Sequence, residues 1–127
     1  MFDVGDVVRF HSPTAGKEKF HLCLGFEKDR PVFVFLFLNS APGFKGEYIF
    51  EDGEIPGLPK SPTKQTVVSF TNLTRMGQDR LMRFGAVKTG QIDGHLAGEL
   101  VAFAKELKVL TRSDRMFVVA ALESLYS

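Results

Sequence analysis

The sequence predicts an α+β domain, mainly β: a small antiparallel barrel followed by two C-terminal helices. Three observations predict it. Apolar residues recur at period two through the first two thirds of the chain and at spacings of three and four from about residue 90 onward. Strand patterns come first and helical patterns last, the order of a segregated α+β fold rather than of alternating βαβ units. The 127 residues, 44% apolar and 24% charged, have the make-up of one soluble domain with a real core, spanning 1–127.

Each element follows from its residues. Gly5-Asp6 is a turn, and Val7-Val8-Arg9-Phe10 starts a strand. His11 to Glu18 reads as a loop from its Pro, Gly and small polar content. Phe20, Leu22, Leu24 and Phe26 sit at period two, which predicts a strand with one buried face. Lys28 to Pro31 is a polar turn, so this strand and the next form a hairpin. Val32 to Leu38 is apolar at every position, and such a run needs cover on both faces, from a helix or from a partner chain.

Asn39 to Lys64 is irregular, with Pro42, Pro56, Pro59 and Pro62, and holds a short strand at Glu47–Phe50. Its acidic cluster, Glu47, Glu51, Asp52 and Glu54, reads as a solvated loop. Thr66 to Thr71 is a further strand, and Leu81–Phe84 and Ala86-Val87 are candidates for short ones. The barrel expectation is therefore about five to seven strands between Asp6 and Val87. Asp93 can cap a helix to about Leu107, with Leu96, Leu100, Phe103, Ala104 and Leu107 in one stripe. Thr111 or Ser113 can cap a second, with Phe117, Val118, Ala121, Leu122 and Leu125 as its stripe.

Composition excludes several function classes. The longest apolar run is far too short for a membrane span, and the acidic opening Met-Phe-Asp-Val-Gly-Asp is no secretory signal, so a cytoplasmic address and no membrane partner are expected. A lone cysteine, Cys23, makes no intrachain disulfide and reads as packing. A net charge of +1 makes any anion site local. No metal-ligand spacing, Walker loop, dinucleotide fingerprint or nucleophile elbow is present, and no cofactor is expected.

Gly5-Asp6-Val7-Val8-Arg9-Phe10, then Pro13-Thr14-Ala15-Gly16, then an apolar strand, resembles the opening of the MazF/PemK/Kid toxins. The similarity resumes at Val67–Arg75 and runs through Arg80-Leu81-Met82 and Gly85-Ala86-Val87 to the helix after Asp93. The resemblance implies an SH3-like barrel and a homodimer neutralised by a cognate antitoxin. It also implies metal-independent cleavage of single-stranded RNA, in which the ribose 2′-hydroxyl attacks the adjacent phosphate. That chemistry needs a base, an acid and donors on the phosphate. The thirteen Phe in so short a chain point the same way on assembly, as more apolar surface than a thin barrel hides.

Aligned on the family, Lys19-Phe20 stands where an Arg-Pro pair is usual, and Ser40 takes the place of the hydroxyl ending the third strand. The family's Asp-Gln-x-Arg segment falls on Thr71-Asn72-Leu73-Thr74, with Arg75 one place later. The site expected from this alignment has Arg75 and Lys19 holding the phosphate and His11 or His21 moving the proton. Ser40, Thr71, Asn72 and Thr74 bind substrate around them. Arg80, Arg83 and Lys88 add positive charge beside Arg75. The missing acid and displaced arginine suit a second reading as well, a non-catalytic growth inhibitor of the same fold that binds a protein target.

Overall fold

A computed structural model describes residues 1–39 and 46–126; for Asn72 it describes the backbone only. Among these residues the elements are β1 (Asp6–Ser12), β2 (Lys17–Glu27), β3 (Val32–Asn39), β4 (Glu47–Glu51), β5 (Gln65–Met76), α1 (Gln78–Arg83), β6 (Val87–Gln91), α2 (Gly94–Lys105) and α3 (Arg112–Glu123). The strands form one sheet in the order β4-β5-β3-β2-β1-β6, with every neighbouring pair antiparallel. The predicted mainly-β α+β class is therefore observed. No ladder joins the edge strands β4 and β6 among the described residues.

The connection after β4 crosses between those edges. Ile55 plugs into the core at 2% exposure, and the backbone of Pro56 and Gly57 lies against Thr89 and Gly90 of β6. A Cβ on Gly57 would sit 2.4 Å from the Thr89 carbonyl oxygen, and one on Gly90 would sit 2.4 Å from that of Pro56. Only two glycines facing each other allow that approach.

Both faces of the sheet are buried. On one face Leu22, Leu24, Val34, Leu36, Leu38, Val68 and Phe70 pack against Leu96, Leu100 and Val101 of α2 and Val118 and Leu122 of α3. On the other, Val8, Phe10, Cys23, Phe33, Phe35 and Met76 gather around Leu81 of α1, with Phe2, Phe84 and Ala86 at the margin. The all-apolar strand β3 thus finds its second cover within its own chain. A partner subunit is not needed to cover it.

Three local expectations are corrected. The segment Leu81–Phe84 lies in and after helix α1, not in a strand; the helix ends at Gly85, whose φ of +71° suits the left-handed position after a helix. The loop expected from His11 to Glu18 tightens to residues 13–16, because Ser12 holds it twice: its carbonyl accepts from Gly16 N at 2.8 Å and its Oγ from Ala15 N at 3.2 Å. Phe26 leaves the face of Leu22 and Leu24. The ladder slips between Cys23 and Gly25, whose φ is +102°, so that Phe26 pairs with Phe33 on the opposite face and is 47% exposed. An extra residue in a strand inverts the parity of all that follows.

The C-terminal helices match their sequence signals. Asp93 accepts from Leu96 N at 2.9 Å and Thr111 Oγ1 from Asp114 N at 3.1 Å, each satisfying an orphan donor of a first turn. None of the described helices is long and apolar enough to cross a membrane.

Candidate functional site

The residues that were expected to form one site are distributed over three places. Lys19 lies at one end of the sheet, opposite Phe10 and one residue before the Phe20–Leu38 pair. Arg75 pairs with Val34, five residues back along β3 from Asn39, or about 15 Å at strand spacing. No single phosphate reaches both.

Arg75 is committed elsewhere. Its Nη2 donates to Asp114 Oδ1 at 2.9 Å and its Nε to Glu27 Oε1 at 3.4 Å, with all three side chains at most 30% exposed. It fastens α3 to the sheet. The basic cluster around it also divides: Lys88 Nζ lies 3.1 Å from the buried Asp6, and Arg80 rests over the Phe84 ring.

His21 is fully buried, which corrects its expected place on an open groove. It does face away from Phe20 and Leu22, but that second face is itself core. Its ring stacks on Phe10 at 3.7 Å and 6°, with Phe37 at 4.9 Å and Phe35 at 5.8 Å. Burial drives its pKa down to about 4, against a smaller upward pull from the Val8 and Lys19 backbone. Neither ring nitrogen has a hydrogen bond of good geometry. A neutral imidazole sealed among phenylalanines cannot exchange protons with a substrate. Cys23 beside it is buried too, its thiol pushed up to about 12, chiefly by burial, as expected of a packing cysteine.

His11 is the penultimate residue of β1 rather than a loop residue; it is exposed, opposite Glu18, with its ring 6.0 Å from that of Phe84. Thr71 is exposed on β5, and Thr74 is half-buried opposite Phe35. Ser40 and the side chain of Asn72 lie outside the described residues.

Lys19 does line a concave site. A groove of about 260 Å³ runs between the start of β2 (Lys17, Glu18, Lys19, Phe20), the end of β3 (Leu38, Asn39) and the start of β5 (Gln65, Thr66). Its far wall is Leu58-Pro59-Lys60-Ser61-Pro62. Asp52 shapes that wall, its Oδ1 accepting from Ser61 N at 3.1 Å and its own N–H donating to the Lys64 carbonyl at 3.1 Å. One member of the acidic cluster read as a solvated loop is therefore a brace. Three lysines reach the groove against one carboxylate, Glu18, which lies 3.7 Å from Arg9. Lys17, Lys19 and Lys60 have no ion pair among the described residues. Partial burial lowers the pKa of Lys19, and the charge of Lys17 adds to it.

Lys17, Phe20, Leu58 and Lys60 were not singled out by the sequence. The available signal was Leu58-Pro59-Lys60-Ser61-Pro62, an apolar residue and a lysine between two prolines, a stiff segment inside an otherwise irregular stretch. No group of three or more His, Cys, Asp or Glu among the described residues is placed to hold a metal ion. The chain matches no family model, no curated protein and no solved structure.

Proposed function

We propose that the chain is a growth-inhibiting protein of the MazF-like class that acts by binding a protein target through the lysine-rimmed groove, rather than by cutting RNA. The observation that carries this reading is the dispersal of the expected catalytic set. Arg75 is neutralised between two carboxylates, His21 is sealed in the core, and Lys19 stands about 15 Å from Arg75 at strand spacing. Transition-state stabilisation needs donor and proton carrier at one phosphate, and this arrangement offers neither pairing. The class itself rests on the Gly5–Gly16 opening and on the order of elements. In the same reading the sheet is a partly open SH3-like barrel, its gap spanned by the connection through Ile55–Gly57.

The test combines two measurements on the full chain: growth on induced expression, and cleavage of a mixed pool of single-stranded RNA by purified protein. Growth arrest without cleavage is expected. Cleavage that disappears in His11→Ala and Lys19→Ala would overturn the binding reading in favour of a ribonuclease with a different constellation. No growth effect would remove the toxin reading altogether.

A further inference from the structure

We propose that the groove takes an extended acidic peptide that seats an apolar side chain on its floor. The proposal rests on the binding reading above and names the chemistry of the partner. The floor is Phe20, Leu38 and Leu58, all three packed into or against the core on the helix-bearing face. The rim is Lys17, Lys19 and Lys60, contributed from opposite walls. A ligand that satisfies both has carboxylates on either side of an apolar residue.

The shape agrees. About 260 Å³ is below the roughly 300–1,000 Å³ of most small-molecule pockets, and the site is open along its length, which suits a few side chains of a chain passing through. Lys19 has already lost part of its water to burial, so a carboxylate arriving there displaces less solvent than at a free surface lysine.

Single-stranded nucleic acid fits less well. Such grooves present exposed rings for base stacking and arginine forks for phosphate. Here the one aromatic lining residue, Phe20, is half-buried with its ring committed to the core, and no arginine lines the site. Glu18 at the rim would also repel a continuous run of phosphates, whereas a peptide can place its charges to avoid it.

The test begins with selection of random twelve-residue phage-displayed peptides on the full chain. The enriched peptides are then synthesised with a fluorophore and titrated by anisotropy. Enrichment of Asp and Glu flanking a Leu, Ile or Phe is expected. Affinity should fall about tenfold or more in Lys17→Glu/Lys60→Glu, an exposed pair whose exchange leaves the fold intact by circular dichroism. Lys19→Gln should weaken binding less, and added salt should weaken all of it. Peptides without acidic excess, equal binding by the double variant, or tighter binding of an eight-residue oligouridylate than of the best peptide would each overturn the proposal. RNA cleavage with peptide binding intact would instead fault the functional reading alone. Growth arrest without cleavage and without any enriched peptide would fault only the peptide assignment.

Discussion

At His21 an imidazole occupies a space between Phe10 and Phe37 that a benzene ring would fill equally well. The consequence is pH dependence. The folded chain refuses a proton until about pH 4, whereas an unfolded histidine accepts one near 6.5. The unfolded state therefore binds more protons between those values, and stability falls as pH drops through the window, by up to about 3 kcal/mol. Urea unfolding at pH 7, 6 and 5 should show this slope in the wild type and a flatter one in His21→Phe; parallel slopes would show that His21 is not its source. At Arg75 the expectation concerns stability too. Arg75→Ala leaves Glu27 and Asp114 without their shared cation and should cost about 1–3 kcal/mol. Asp114→Ala should cost less, and the double variant less than the sum, because one contact is counted in both. Denaturant midpoints of the three proteins decide it.

Among the elements, those with long periodic faces were legible from the residues alone. Asp93 and Thr111 mark the starts of α2 and α3 because a side-chain oxygen before an apolar stripe has few other uses. Asp93→Ala should lower stability by about 1 kcal/mol, read from a thermal melt. Helix α1 was not legible, since six residues that bury one leucine produce no period. Nor was the parity change at Gly25, because an inserted residue carries no apolar signature and period-two counting runs straight through it. The candidate site was legible only at Lys19. Its other walls come from residues some forty positions away, and nothing in a local window says that Lys60 will stand across from Lys17. Arg75 misled for the same reason: its partner Asp114 lies 39 residues on. The contact between Gly57 and Gly90 gives a further prediction. Gly90→Ala drives a methyl into the Pro56 carbonyl and should cost about 1–3 kcal/mol. Because Leu58 and Lys60 follow Gly57 directly, the same substitution should also weaken any ligand of the groove. Full stability in Gly90→Ala would mean that the connection moves freely.

For the whole molecule, the sheet is a middle layer, with α2 and α3 on one side and α1 with the N-terminal Phe2 on the other. Homodimerisation was argued from the uncovered face of β3; with α1 on that face, association has to find its surface elsewhere. The internal cover also has a cost during synthesis. Strand β3 ends at Asn39, α1 begins at Gln78 and α2 at Gly94, so the most apolar segment leaves the ribosome long before anything can shield either side of it. Until then β2 and β3 form a hairpin with two bare apolar faces, the kind of nascent species that self-associates or recruits chaperones. A chain stopped after Ile92 keeps every strand and loses the helices of one face, and it should accumulate as insoluble aggregate where the full chain stays in solution. The order in which this protein is made thus opposes the order in which its core can be protected, and its yield in a cell should depend on translation speed and holdase supply more than its final stability would suggest.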